Sequence, residues 1–167
     1  MANQLRTDLI KWSDDPQRKA LILRGEGESG KIRSVSKLAL ETNRVLITVD
    51  LADPDNARIC KENSPKEMVA ALSSATGKEI TGKRSILFLH GIENCPELLP
   101  ELKNINKEIP DLPLIVTGSG IDSLIRKYEA DLPAGRVTTL FYKAFSFGDL
   151  IKEITPGSDM RGYGNRK

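Results

Sequence analysis

The chain has 167 residues and a mass of 18.4 kDa, enough for one domain whose core needs no disulfide or metal staple. Hydrophobic residues make up 39% and charged residues 29%, a globular composition that excludes wholesale disorder. Net charge is +2. The stretch from Thr155 to Lys167 carries all of it, with Arg161, Arg166 and Lys167 against Asp159. The body is then near neutral, which argues against a body-wide basic footprint for nucleic acid.

In chain order, Gln4–Trp12 reads as a helix with Leu5, Leu9 and Trp12 on one face. Ala20–Arg24 is a short apolar run and reads as the first strand. A glycine-rich stretch follows, then a helix over Lys31–Leu40. Val45–Asp50 reads as a second strand. Ser64–Ala75 opens with Ser-Pro-Lys-Glu, a capping box with Pro65 at the first helical position. Ser85–His90 is the third strand, and Pro96–Lys107 a helix capped by Asn94. Leu112–Thr117 is the fourth strand, with Pro113 near its start because proline cannot donate to a ladder. Asp122–Ala130 is a helix that groups Leu124, Ile125 and Tyr128, and Val137–Tyr142 is the fifth strand.

The central strands are apolar throughout, as parallel strands covered on both faces should be. Strand and helix alternate, so right-handed crossovers and a parallel sheet are expected. After Ile154 the chain holds Gly157, Gly162 and Gly164 with little apolar content. The expected division is one domain over residues 1–154 and a flexible tail over 155–167. Cys60, Cys95 and His90 show no CxxC or HxxxH clustering, so no metal site is expected. Two isolated thiols suit a reducing compartment. No apolar run is long enough to span a membrane, and Met1 to Lys11 lacks a secretory signal, so a cytoplasmic location is expected.

The first strand leads into Gly25, Glu26, Gly27, Glu28, Ser29, Gly30, Lys31 and Ile32. This is G-x-x-x-x-G-K between a strand and a helix, the context a phosphate loop needs. Glycines let backbone N–H groups turn toward phosphates, the helix N-terminus adds a positive dipole end, and the lysine reaches the terminal phosphates. The competing reading is a glycine turn whose Lys31 pairs with Glu26 or Glu28. A Ser or Thr should follow the lysine to ligate Mg²⁺. Ile32 has no donor oxygen, and Ser34 lies about 200° further around the helix. Glu26 and Glu28 would each face a polyphosphate anion.

At these residues the chain resembles bacterial and archaeal AAA-superfamily ATPases of the kind that carry a further C-terminal domain of unknown function. Arg18-Lys-Ala-Leu-Ile-Leu-Arg-Gly25 resembles the entry to that family's phosphate loop. Ile86-Leu-Phe-Leu-His-Gly-Ile-Glu93 resembles its Walker B strand, and Pro96 to Lys103 the helix that follows. Leu114-Ile-Val-Thr-Gly-Ser119 resembles the sensor-1 strand, Leu132-Pro-Ala-Gly-Arg136-Val the approach to the fifth strand, and Ala144-Phe-Ser-Phe147 the end of the core. The similarity runs over roughly residues 4 to 151, and no counterpart of the further domain is expected. It implies a three-layer α/β/α P-loop NTPase core with a five-stranded parallel sheet in the order 5-1-4-3-2.

The resemblance also implies that His90 stands at the place of the Mg²⁺-organising Asp, and Gly91 at the place of the water-activating Glu. With Ile32, three polar positions of the hydrolysis machinery are missing. The expectation is a degenerate ATPase-like protein, impaired in hydrolysis, that keeps weak nucleotide or phosphate binding and acts as a binding or regulatory module. No residue is assigned as catalytic or as a metal ligand. ATP or another nucleotide is the expected cofactor, without Mg²⁺. A protein partner is left open, as is self-association, while a membrane or nucleic-acid partner is not supported. The alternatives are a working ATPase that uses Glu93 or His90, and a structural domain with an empty loop. Thr117, Ser119 and Arg136 resemble sensor and finger positions, against plain readings as a turn and a surface arginine.

Overall fold

The fold is described from a computed structural model covering residues 2–132 and 135–143. Five parallel strands form one sheet: β1 (Leu21–Arg24), β2 (Val45–Asp50), β3 (Ser85–His90), β4 (Leu114–Val116) and β5 (Thr138–Phe141). Their spatial order is β2-β3-β4-β1-β5, which is the expected 5-1-4-3-2 read from the other edge. Register aligns the strand ends, with Leu21 beside Ile115 and Thr138, and Asp50 beside His90.

The helices are α1 (Ala2–Asp14), α2 (Glu28–Glu41), α3 (Pro54–Glu62), α4 (Pro65–Thr76), α5 (Leu102–Glu108) and α6 (Ile121–Lys127). Alternation along β3 sends Ile86 and Phe88 to one face and Leu87 and Leu89 to the other, which is the period-two rule for a strand. Ile86 and Phe88 meet Leu5, Leu9 and Trp12 of α1 and Val35 and Leu38 of α2. Leu87 and Leu89 join a second core with Cys60, Met68 and Leu72 from α3 and α4, and with Leu102 and Ile105 of α5. The molecule is therefore a three-layer α/β/α sandwich. Trp12 is buried against the sheet, and its indole N–H donates to Lys19 O at 2.7 Å.

The capping box at Ser64 and Glu67 is present, and Pro113 sits just before β4 as its missing N–H requires. Several boundaries differ from expectation. α2 begins at Glu28, not Lys31, so Glu28, Ser29 and Gly30 of the glycine loop already lie in the first helical turn. Helix α3 was not expected; Asp53 caps it by accepting from Asp55 N at 2.9 Å, and Pro54 opens it. The helix expected over 96–107 is a 3₁₀ segment, Pro96–Glu101, followed by α5, because Pro100 cannot donate within a regular helix. Cys95, not Asn94, precedes it; the Asn94 side chain donates to Gly91 O at 3.0 Å instead. The helix expected over 122–130 ends at Lys127, and a 3₁₀ turn takes Glu129–Asp131. Residues 133–134 and 144–167, including the Ala144-Phe-Ser-Phe147 segment and the expected tail, lie outside the described residues. No helix among the described residues is long and apolar enough to cross a membrane.

Candidate functional site

All five strands are parallel, so their C-terminal ends open on one edge of the sheet, where ligands of open α/β folds bind. β1 delivers the glycine loop to that edge. Gly25 has φ 116° and Gly27 φ 96°, conformations that side-chained residues rarely hold. Gly27 is the N-cap of α2 and has no side chain to cap with, so the first-turn N–H groups of α2 gain no side-chain acceptor from their own cap. Glu26 and Ser29 are exposed, Gly30 is buried, and Ile32 packs against the α1–α2 core.

Lys31 is among the largest side chains sealed in the described residues, at 1% exposure. Its ammonium donates to Gly118 O at 3.4 Å and lies 3.5 Å from Glu28 Oε1. Glu28 Oε2 in turn lies 3.9 Å from His90 Nδ1, and His90 Nδ1 lies 3.8 Å from Asp50 Oδ1. The ends of β2 and β3 thus bring Asp50 and His90 beside the loop. Asp50 also accepts from Ala52 N at 2.9 Å, which fixes its carboxylate at the turn after β2.

Gly91 has φ 79°, and a Cβ built there would lie 3.3 Å from Asp50 Oδ1 and 3.2 Å from Asn94 Nδ2. The chain leaves β3 at this glycine, so the strand does not continue toward Glu93. Glu93 returns by a different route. From the 3₁₀ turn Ile92–Asn94 its Oε1 accepts from Ser119 N at 3.0 Å, on the turn whose Gly118 carbonyl receives Lys31. Thr117 is fully buried and its hydroxyl donates to Leu23 O at 2.6 Å, so it ties β4 to the strand that leads into the loop. Ser119 presents its backbone N–H to Glu93, and Arg136 is exposed.

Three features of the site were not legible in the sequence. One is Asp50, the last residue of an apolar strand. Another is the Arg24 guanidinium, 2.7 Å from Asp122 Oδ1 and 4.5 Å over the Phe141 ring. The third is Tyr142, which follows β5 and lies across the glycine loop. Its N–H donates to Arg24 O at 2.8 Å. Its carbonyl crowds Gly25, and its phenol lies against Gly30, where a Cβ would stand 2.8 Å from Cε2 and closer still to the hydroxyl. Gly27 would meet the same ring at 3.3 Å.

The donor set suits phosphate better than metal. A lysine ammonium and loop amides favour anions. Ile32 offers no oxygen, and no group of three or more His, Cys, Asp or Glu among the described residues is placed to hold a metal ion.

Comparison with solved structures places the fold. The Walker-type ATPase of Pyrococcus abyssi matches with a TM-score of 0.57 at 15% identity, over 96% of this chain and 60% of that one. The chain thus spans about three fifths of that ATPase. A structure of the Drosophila ORC bound to DNA matches with a TM-score of 0.45 at 12% identity, over 87% of this chain and 94% of that one. No curated protein matches the chain. A family model described as an AAA domain matches residues 17–151, from the entry to β1 to beyond β5, and the chain belongs to that family of P-loop ATPase domains.

Proposed function

We propose that this AAA domain is a nucleotide- or phosphate-binding module that has lost hydrolysis. The observation that carries the reading is the setting of Lys31. It is sealed at the mouth of a glycine loop that opens a helix, the arrangement that binds phosphate. Around it, the positions that should hold a metal and activate water are Ile32, His90 and Gly91. Phosphoryl transfer by this kind of site rests on a metal clamp and a positioned nucleophile. Binding can survive their loss, because the loop amides and Lys31 act without metal. The role that follows is a regulatory or partner-binding one, in which occupancy of the loop rather than turnover is read out.

The test is calorimetric titration with ATP and with pyrophosphate, with and without Mg²⁺, beside a phosphate-release assay. The expected result is weak binding that Lys31→Ala abolishes, unaided by Mg²⁺, and no turnover above background. Phosphate release that depends on Mg²⁺ and disappears in Lys31→Ala would refute the reading. No binding of either anion at millimolar concentration would favour a structural domain instead.

One observation favours a working enzyme: the Glu93 carboxylate reaches the turn that accepts Lys31. In that reading Glu93 positions water, and Glu93→Gln would remove turnover while leaving nucleotide affinity in place.

A further inference from the structure

The glycine loop carries its own anion. Lys31 is buried and its ammonium faces the Glu28 carboxylate at 3.5 Å; the other oxygen of that carboxylate faces His90 Nδ1 at 3.9 Å. Glu28 is the first residue of α2, directly after the Gly27 cap, so its side chain starts where loop amides and helix dipole favour negative charge. His90 closes the far side, and Asp50 stands behind it at 3.8 Å. A phosphate bound at such a loop would meet the loop amides and the lysine ammonium. Here the Glu28 carboxylate already lies against that ammonium, between Lys31 and His90.

We propose that Glu28 is an internal competitor of phosphate, holding the loop closed until a ligand displaces it. This rests on the reading of the loop as a phosphate site. Glu26 has no such role: it is exposed and makes no ion pair among the described residues. The closure is reversible because the Glu28 side chain keeps 38% of its surface exposed and can swing into water. A part-exposed ion pair is weak and screened by salt, so a phosphate with more than one charge can replace it. Selection then favours ligands that meet Lys31 with at least two phosphate oxygens. A monocarboxylate gains nothing over the carboxylate already in place.

Pyrophosphate and acetate are the probes, titrated at low and high salt into the parent, Glu28→Gln, Glu26→Gln and Lys31→Ala. Glu28→Gln keeps the side-chain size and removes the charge. Its affinity for pyrophosphate is expected to rise about tenfold, which corresponds to about 1.4 kcal/mol, with the larger gain at low salt. Glu26→Gln should match the parent, and acetate should bind no variant that keeps Glu28. Amide shifts of Gly27 to Ile32 in the ligand-free protein should move in Glu28→Gln and not in Glu26→Gln. Equal pyrophosphate affinity in Glu28→Gln and parent at low salt, with binding still lost in Lys31→Ala, overturns the competitor and leaves the phosphate-site reading standing. Equal gains from Glu26→Gln and Glu28→Gln also overturn it, since they would mark a general charge effect. No pyrophosphate binding by parent or Glu28→Gln overturns both readings together.

Discussion

Adding a methyl group at Gly30 should change sign in its effect on stability according to what occupies position 142. In an exposed helix, alanine is better than glycine by about 1 kcal/mol. Gly30 lies inside α2, yet a Cβ there would stand 2.8 Å from Cε2 of Tyr142 and closer to its hydroxyl. The obstruction is the far end of a side chain, so the ring can turn aside, at the cost of the packing it loses. Overpacking of this kind costs about 1–3 kcal/mol. Set against the helix gain, Gly30→Ala should destabilise the parent by about 0–2 kcal/mol. In a Tyr142→Ala background the same change should stabilise by about 1 kcal/mol. Urea midpoints of the parent, the two single variants and the double variant form the cycle, and the expected coupling is about 1–3 kcal/mol. Gly25→Ala is the control. Its φ is 116° and the crowding atom is the Tyr142 carbonyl, which every residue at 142 retains, so its cost of about 1–3 kcal/mol should survive Tyr142→Ala. Effects of Gly30→Ala and Tyr142→Ala that add to within about 0.5 kcal/mol would show that the phenol does not rest on the loop.

Three further outcomes are expected. Thr117→Val removes a buried hydroxyl that donates to Leu23 O at 2.6 Å; it should lower stability by about 1 kcal/mol and leave ATP affinity unchanged, whereas a sensor in contact with phosphate would lose affinity first. Gly91→Glu, offered as a repair of the water-activating position, should cost about 1–3 kcal/mol in strain, because φ there is 79° and the new side chain would start beside Asp50; a urea midpoint equal to the parent's would contradict this. Burial pushes the Cys60 thiol up to about 11, and burial together with the Glu97 carboxylate pushes Cys95 up to about 12, from an ordinary 9.0. The native state therefore holds these protons more tightly than the unfolded chain. Their contribution is complete below about pH 9 and declines as pH rises through 9 toward 11 and 12, so thermal stability should fall less steeply above about pH 9 once both thiols are replaced by alanine.

The sheet was legible because its signal is local. Five apolar runs separated by helical patterns allow few topologies once crossovers must be right-handed, and β2 and β3 run over the residues expected of them. Helix starts were harder. Glu28 and Ser29 read as loop because Gly25, Gly27 and Gly30 dominate the pattern, yet two of those glycines sit before or at the cap and the third is tolerated inside the helix. Helix α3 was hidden by charge: Asp55, Arg58, Lys61 and Glu62 leave only Ala57 and Cys60 buried. In the site, the Lys31–Glu28 pairing was one of two alternatives the loop offered, with Glu26 as the other; that Glu28 shares a helix face with Lys31 follows only from the earlier helix start. The Glu28–His90 and His90–Asp50 approaches were not readable, because they depend on the parallel register that sets Asp50 beside His90. Tyr142 was missed for the same reason, since its place over the loop follows from the pairing of β5 with β1.

The position of β1 has a kinetic consequence. Its neighbours in the sheet are β4 and β5, about 90 and 115 residues away along the chain. The first strand to be synthesised is thus among the last to be paired, and the glycine loop at its end takes shape only when Tyr142 arrives. Loop closures of this length make folding slow relative to proteins dominated by local contacts. Until they happen, Leu21, Ile22 and Leu23 have no sheet partner and stay available to any other unpaired strand. A chain interrupted before β5 would keep β2, β3 and β4 in register but leave one edge of β1 open, an invitation to edge-to-edge association.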